Sequence, residues 1–336
     1  MAKIVQKPID QEYLPIVSEK IKVDTVIDFD CYIKRFNDYV IIIEAGTQIT
    51  AELLEKVMAV KKVYVHKGQR KAYKEYIHKH SPDESSESDE ELEKPLKACK
   101  SLPAILQSDR PRDEQIRVVY KISCDIMHYY YEHGNEALPL EGVDAVMDAL
   151  LKLIQKFDTL SSFTSVMPER YAVQSHAVNV TIFAIFLGRS LKLSLLDLKA
   201  LALAGLLHDI GKCVVDKAIL DKDDALSSDE FELVKAHSVA SMESAREMKV
   251  NDARVLDAIK YHHEKLDGTG YPEGVKGKKI PNFAQILGIC DTFDALTTER
   301  TFRGSYSSFE ALSLMKREMA HQLNVKYINA FISLLH

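Results

Sequence analysis

Two histidine-bearing clusters carry the residue types in this chain that could do chemistry. The first is His208-Asp209-Ile210-Gly211-Lys212, directly after the apolar run Leu201-Ala-Leu-Ala-Gly-Leu-Leu207. A histidine at the end of an apolar helix complements the helix dipole, and Gly211 can take a left-handed cap, so this cluster has an ordinary structural reading beside a metal-binding one. The second is Tyr261-His262-His263-Glu264-Lys265-Leu266-Asp267-Gly268-Thr269-Gly270-Tyr271-Pro272. Adjacent helical residues point ~100° apart, so neighbouring histidines reach one metal only at a helix end, or else grip neighbouring metals. The glycine-rich stretch behind them supplies such an end. Three further candidates are His176, His237 and Asp291. Each alone reads as ordinary structure: a helix-end histidine, a surface histidine and an N-cap aspartate. Taken together, five histidines and two aspartates on separate helices of one bundle are a common way to build a two-metal site. Imidazole and carboxylate without thiolate suit iron or manganese as the divalent ions, with nickel and zinc as further candidates.

His208-Asp209 with Gly211-Lys212, followed by His262-His263-Glu264 and Asp267-Gly268-x-Gly270-Tyr271-Pro272, resembles the paired signature of the HD-GYP domain, a branch of the HD phosphohydrolase superfamily. The segment Asp291-Thr-Phe-Asp294-Ala-Leu-Thr-Thr-Glu-Arg300-Thr-Phe-Arg303 is similar to the family's next stretch, and the likeness runs from about Tyr171 to Phe331. The resemblance implies a fold, an activity and a site. The metal ligands fall on His176, His208, Asp209, His237, His262, His263 and Asp291, with Asp209 bridging two metals. Asp209 and Lys212 form the catalytic pair, with Lys212 near the scissile phosphate. Gly270, Tyr271 and Pro272 shape the substrate site, and Arg300 and Arg303 grip phosphate or guanine. The family hydrolyses cyclic di-GMP to pGpG, and often onward to GMP, in bacterial second-messenger signalling. Glu264 and Asp267 could orient the histidines as outer acceptors, although Asp267-Gly268 is also a good turn dipeptide. Three-metal members carry a glutamate four residues before the first histidine. Here that position is Ala172, and the nearest glutamate is Glu169, so two metals are expected.

The elements that must position these groups are mostly helices. Ile116, Val119, Tyr120, Ile122, Ile126, Met127 and Tyr130 form one apolar stripe, and Met147, Leu150, Leu151 and Ile154 another. Further helical patterns cover 178–187, 195–207, 228–237, 239–248 and 253–262, with strand-like runs almost absent. This predicts an all-α bundle from about 96 onward, which the resemblance divides into an HD-type domain over 171–336 and a helical connector over 96–170 whose stripes could serve a homodimer. Residues 1–80 read differently. Val40–Ile43 and Val63–Val65 are β-branched runs, Thr50 suits an N-cap for a helix bearing Leu53, Leu54 and Val57, and Lys71–His80 suits another helix. They predict a small α/β regulatory module, loosely similar to a domain that sometimes precedes HD-GYP domains, and an α+β chain overall. Between the two parts, residues 81–95 hold seven acids and four serines around a single leucine, the composition of a disordered linker.

Composition bounds the function classes. Apolar residues make up 46% of the 336, enough for ordinary cores, and the net charge is -6. The Ser81–Lys94 stretch alone accounts for that -6, leaving the rest near neutral, so no DNA-binding footprint is expected. The five scattered cysteines form no pairs of metal-binding spacing. No apolar stretch reaches the length of a membrane span, and the first residues lack a signal-peptide core, so a cytoplasmic place is expected. A phosphodiesterase acting on a cyclic dinucleotide is the leading expectation. The alternatives are a receptor that binds the dinucleotide, or a partner protein, without turnover, and a hydrolase of a related substrate such as cyclic GMP-AMP.

Overall fold

The computed structural model describes residues 13–16, 21–35, 38–58, 60, 63–80, 97–133, 140–168, 172–215, 217–220, 222, 226–299 and 304–335. The acidic segment 81–95, Glu169, Arg300 and Arg303 lie outside them. The chain divides into two compact units, Met1–Glu93 and Lys94–His336.

The first unit contains β1 (Tyr13–Ile16), β2 (Cys31–Arg35), β3 (Asp38–Ile43), α1 (Ala51–Met58), β4 (Val63–His66) and α2 (Arg70–His80). The strands form one sheet in the order β1-β4-β2-β3, every neighbour antiparallel. The sequence signals caught β3, β4 and both helices; β1 and β2 escaped because Tyr13–Ile16 contains Pro15 and Cys31–Arg35 ends on two charges. The Thr50 hydroxyl accepts from the Leu53 amide and caps α1 as expected. Ile27, Phe29, Ile49, Val57, Val63 and Val65 fill the core.

The second unit is helical. It runs α3 (97–107), α4 (Arg112–His133), α5 (Glu141–Lys156), α6 (Leu160–Thr164), α7 (Val173–Ser190) and α8 (Leu195–Leu207). A 3-10 turn (Ile210–Val214) follows, then α9 (Lys217–Leu220), α10 (Ser228–Lys235), α11 (His237–Glu247), α12 (Ala253–Tyr261), α13 (Asn282–Thr297), α14 (Ser308–Glu318) and α15 (Val325–Ile332). α7 is apolar around its circumference and buried from Ser175 to Gly188, so it runs through the centre, packed on α8, α4 and α13. The amphipathic helices start on side-chain caps: Ser194 on α8, the Ser227–Glu230 capping box on α10, Asp252 on α12 and the Ser307–Glu310 box on α14.

The stripe on α4 that suggested a dimer face is consumed by this chain's own core. Ile116, Val119, Ile126, Met127 and Tyr130 are fully buried, as are Leu150 and Ile154 on α5, and α4 and α5 pack on α7 and α8. The connector helices thus belong to the same compact unit as the histidines, and the stripes carry no argument for a second copy. No described helix is long and apolar enough to cross a membrane.

Candidate metal centre

All seven candidate ligands come from helix ends or helix interiors of the second unit, and the fold brings them to one buried place. His176 sits in the first turn of α7, His208 caps α8, and Asp209 opens the 3-10 turn. His237 begins α11 where α10 ends, His262 caps α12 with His263 next, and Asp291 projects from the middle of α13. Two of the three ordinary readings fail: His237 is buried rather than a surface residue, and Asp291 is mid-helix rather than a cap, while His176 does lie at a helix end.

Two sets of ligand atoms each fit within 4.8 Å, His176–His208–Asp209 and Asp209–His237–His262–His263, and Asp209 is common to both. Asp209 Oδ2 lies 3.5 Å from Nε2 of both His176 and His208, while its Oδ1 lies 3.2 Å from Nε2 of His237. Asp291 spans the two sets as well: Oδ1 is 3.1 Å from His176 Nε2 and Oδ2 is 3.7 Å from His263 Nδ1. The rings of His262 and His263 are only 4.0 Å apart, the convergence that the end of α12 allows.

The tautomers decide what this cluster can hold. Nδ1–H of His208, His237 and His262 donates to the carbonyl three residues back, on Gly205, Val234 and Ile259, at 2.6–2.7 Å. In a neutral ring so held, Nε2 is the nitrogen left with its lone pair. Those three Nε2 atoms and Asp209 Oδ1 are buried and make no hydrogen bond among the described residues. Lone pairs facing carboxylate oxygens in a dry interior repel one another unless a cation lies between them. Burial pushes His262 down to about 3 and also lowers His208 and His263, keeping the imidazoles neutral. Burial works to raise the carboxyls, but Lys212 and the histidines hold Asp209 well below the usual carboxylate range, and His176 and His263 do the same for Asp291. Neutral imidazole and ionised carboxylate are the forms that bind a divalent cation.

Gly211 serves a close approach rather than a left-handed cap. A Cβ there would meet the Ser241 nitrogen at 2.3 Å and the His237 carbonyl at 2.5 Å, and the Gly211 amide donates to the Ser241 hydroxyl. The turn bearing Asp209 is thus pressed onto the start of α11, which bears His237. Gly211→Ala is expected to cost about 3 kcal/mol of stability, since backbone on both sides must move, as read by chemical denaturation.

Around the cluster, Lys212 donates to Asp209 Oδ2. Tyr271 stacks on His263 with ring centroids 4.6 Å apart. Gly270 lets this loop lie against the histidine turn, where a Cβ would meet the His263 carbonyl at 2.4 Å. Glu264 and Asp267 do not accept from the histidines. Glu264 Oε1 takes the amides of Glu273 and Gly274, tying down the chain just past Pro272, and Asp267 closes a turn onto Thr269. Glu264→Ala is expected to strand two amides, loosen the loop and cost about 2 kcal/mol, visible as faster amide exchange at residues 270–274.

Sequence reasoning missed the outer support of His176. Its Nδ1–H donates to Asp294 Oδ2 at 2.7 Å. The available signal was the Asp291-x-x-Asp294 spacing, which puts both carboxylates on one face of α13.

Fold and site together define a helical metal-site domain built on a His-Asp pair. The chain belongs to the HD domain family, whose model matches residues 150–324, and its Gly270-Tyr271-Pro272 loop places it in the HD-GYP branch. It is 36% identical over 146 residues to the cyclic di-GMP phosphodiesterase PA4108 of Pseudomonas aeruginosa, a match covering 44% of this chain and 35% of that one. It is 34% identical over 179 residues to the 3'3'-cGAMP-specific phosphodiesterase 1 of Vibrio cholerae, covering 53% and 39%. The matched segments thus span little more than a third of the length of these curated relatives. Among solved structures, the HDG"Y"P protein Bd1817 of Bdellovibrio bacteriovorus shares the fold over 96% of this chain and 99% of that one, with a TM-score of 0.58 at 19% identity.

Proposed function

We propose that this chain is a phosphoric diester hydrolase that cleaves a cyclic dinucleotide, cyclic di-GMP first among them, at a pair of divalent metals. The observation that carries the reading is the double cluster, two sets of metal-ligating atoms sharing Asp209. His176, His208 and Asp209 would hold one ion, and Asp209, His237, His262 and His263 the other, with Asp291 completing the shell between them. Bound there, two divalent ions supply Lewis-acid stabilisation of a phosphoryl group and activation of a water. The donor set suits iron or manganese.

The chain's own groups do the rest. The backbone carbonyls under His208, His237 and His262 fix the ring tautomers before any ligand arrives, so little reorganisation is needed. Lys212, already on Asp209, would offset charge on a phosphoryl group bound at the cluster. Tyr271, with Gly270 and Pro272, walls one side of the cluster and offers a surface against the substrate. Arg300 and Arg303, by resemblance, supply the grip on phosphate or guanine.

The names of the relatives support two substrates, cyclic di-GMP and 3'3'-cGAMP. Purification without oxygen, elemental analysis and incubation with both dinucleotides test the reading. About two metal ions per chain and appearance of pGpG or GMP are expected. Protein holding two ions that binds cyclic di-GMP without forming product would favour a receptor instead. Preferential cleavage of the mixed dinucleotide would reassign the substrate. A cytoplasmic setting suits the free cysteines, four of which are wholly or partly buried.

A further inference from the structure

The geometry points to Tyr120, on α4, as a positioning residue for one of the two metals, acting on His176 through Asn179 and Asp294. This inference rests on the metal reading above. The Tyr120 hydroxyl donates to Asn179 Oδ1 at 2.7 Å, Asn179 Nδ2 donates to Asp294 Oδ1 at 2.9 Å, and Asp294 Oδ2 accepts from His176 Nδ1 at 2.7 Å. All four side chains are at most 7% exposed, so water does not compete for these bonds.

The chain of bonds has a direction. An asparagine amide can be turned either way, and only one orientation places its NH2 on a carboxylate. The Asp294 carboxylate, which only accepts, sets that orientation, and the Tyr120 hydroxyl holds it by donating to the amide oxygen left on the other side. Burial pushes the phenol up, so it stays a donor. Asn179 then holds one oxygen of Asp294, leaving the other to receive the His176 proton. With Nδ1–H committed to Asp294, Nε2 is the ring nitrogen turned toward the cluster, 3.1 Å from Asp291 Oδ1 and 3.5 Å from Asp209 Oδ2. Among the described residues, His208, His237 and His262 use backbone carbonyls for the same purpose, and those cannot be lost by mutation. His176 depends on side chains from three helices, α4, α7 and α13. Its set, His176–His208–Asp209, is the one this support serves. α4 precedes the family-matched segment, so the support of this metal set reaches beyond the residues that carry the family signature.

The test is cobalt(II) titration of the metal-free full chain, read by equilibrium dialysis and by the visible ligand-field bands, beside far-UV circular dichroism. The wild-type chain is expected to take two ions. Tyr120→Phe keeps the ring and removes only the hydroxyl. It should bind one ion as the wild type does and the other about ten-fold more weakly, with altered bands for that ion alone. Asn179→Ala should weaken the same ion further. Tyr130→Phe deletes a buried hydroxyl on the same helix that lies against Gly142, and should leave both ions unchanged. A Tyr120→Phe titration that superimposes on the wild type overturns the inference, as does equal weakening by Tyr120→Phe and Tyr130→Phe, which would mean a packing role only. A wild-type chain that takes up no cobalt overturns the metal reading itself.

Discussion

Replacement of Asp209 by alanine is expected to abolish metal loading and hydrolysis together, with residual turnover at least about a thousand-fold down. The reason is topological. Asp209 is the one ligand common to both sets, and its two oxygens face opposite ones: Oδ2 toward His176 and His208, Oδ1 toward His237. Its loss therefore disarms both sets. The metal-free protein need not suffer. Asp209 is a buried carboxylate among imidazole lone pairs, and removing it relieves a repulsion while leaving Lys212, which is partly exposed, free to reach water. The readout that isolates the role is stabilisation by metal. A wild-type chain at a free ion concentration a thousand times its Kd gains about 4 kcal/mol, and the variant should gain nothing. Asp209→Asn, which keeps the shape and one acceptor oxygen, should behave like the alanine variant. Retained turnover in either would remove Asp209 from the bridge.

The sequence made the ligands legible but not their support. His208-Asp209 and His262-His263 stand out because their types are rare together at helix ends, and the glycines that follow announce those ends. His176, His237 and Asp291 each looked ordinary, since a single histidine in a helical pattern carries no sign of what lies across from it. What joins them is tertiary: α7, α11 and α13 converge on the turn after α8. The supports are harder still to see. Backbone carbonyls under His208, His237 and His262 leave no mark on residue identity, and Tyr120, Asn179 and Asp294 are separated by 59 and 115 residues in the chain. The same blindness explains Gly211, whose place against Ser241 is a contact between distant segments that local rules read as a cap. It explains Glu264 and Asp267 too. A carboxylate beside a histidine reads as an outer acceptor for that ring as readily as a turn residue, and only the fold shows it spent on the loop's own amides.

Lys212→Met is expected to lower the rate by about a hundred-fold while leaving both metals in place. Methionine retains most of the aliphatic stem, so packing along the 3-10 turn is preserved and the change is chiefly one of charge. In the structure the ammonium sits on Asp209 Oδ2, an oxygen that also faces His176 and His208. A cation between Asp209 and those imidazoles satisfies that oxygen without help from lysine, so metal affinity should change little. The displaced ammonium then lies beside the shared carboxylate, where a phosphoryl group bound across both sets would place an oxygen. A positive charge at that point is worth most when negative charge builds on phosphorus substituents, so the loss should fall on kcat more than on KM. Lys212→Arg, with a longer and planar head, should recover only part of the rate. Equal kcat in the wild-type and Lys212→Met proteins, both shown to hold two ions, would take Lys212 out of the chemistry and leave it as a surface partner of Asp209. Loss of the ions in the variant would instead make it part of the metal cage.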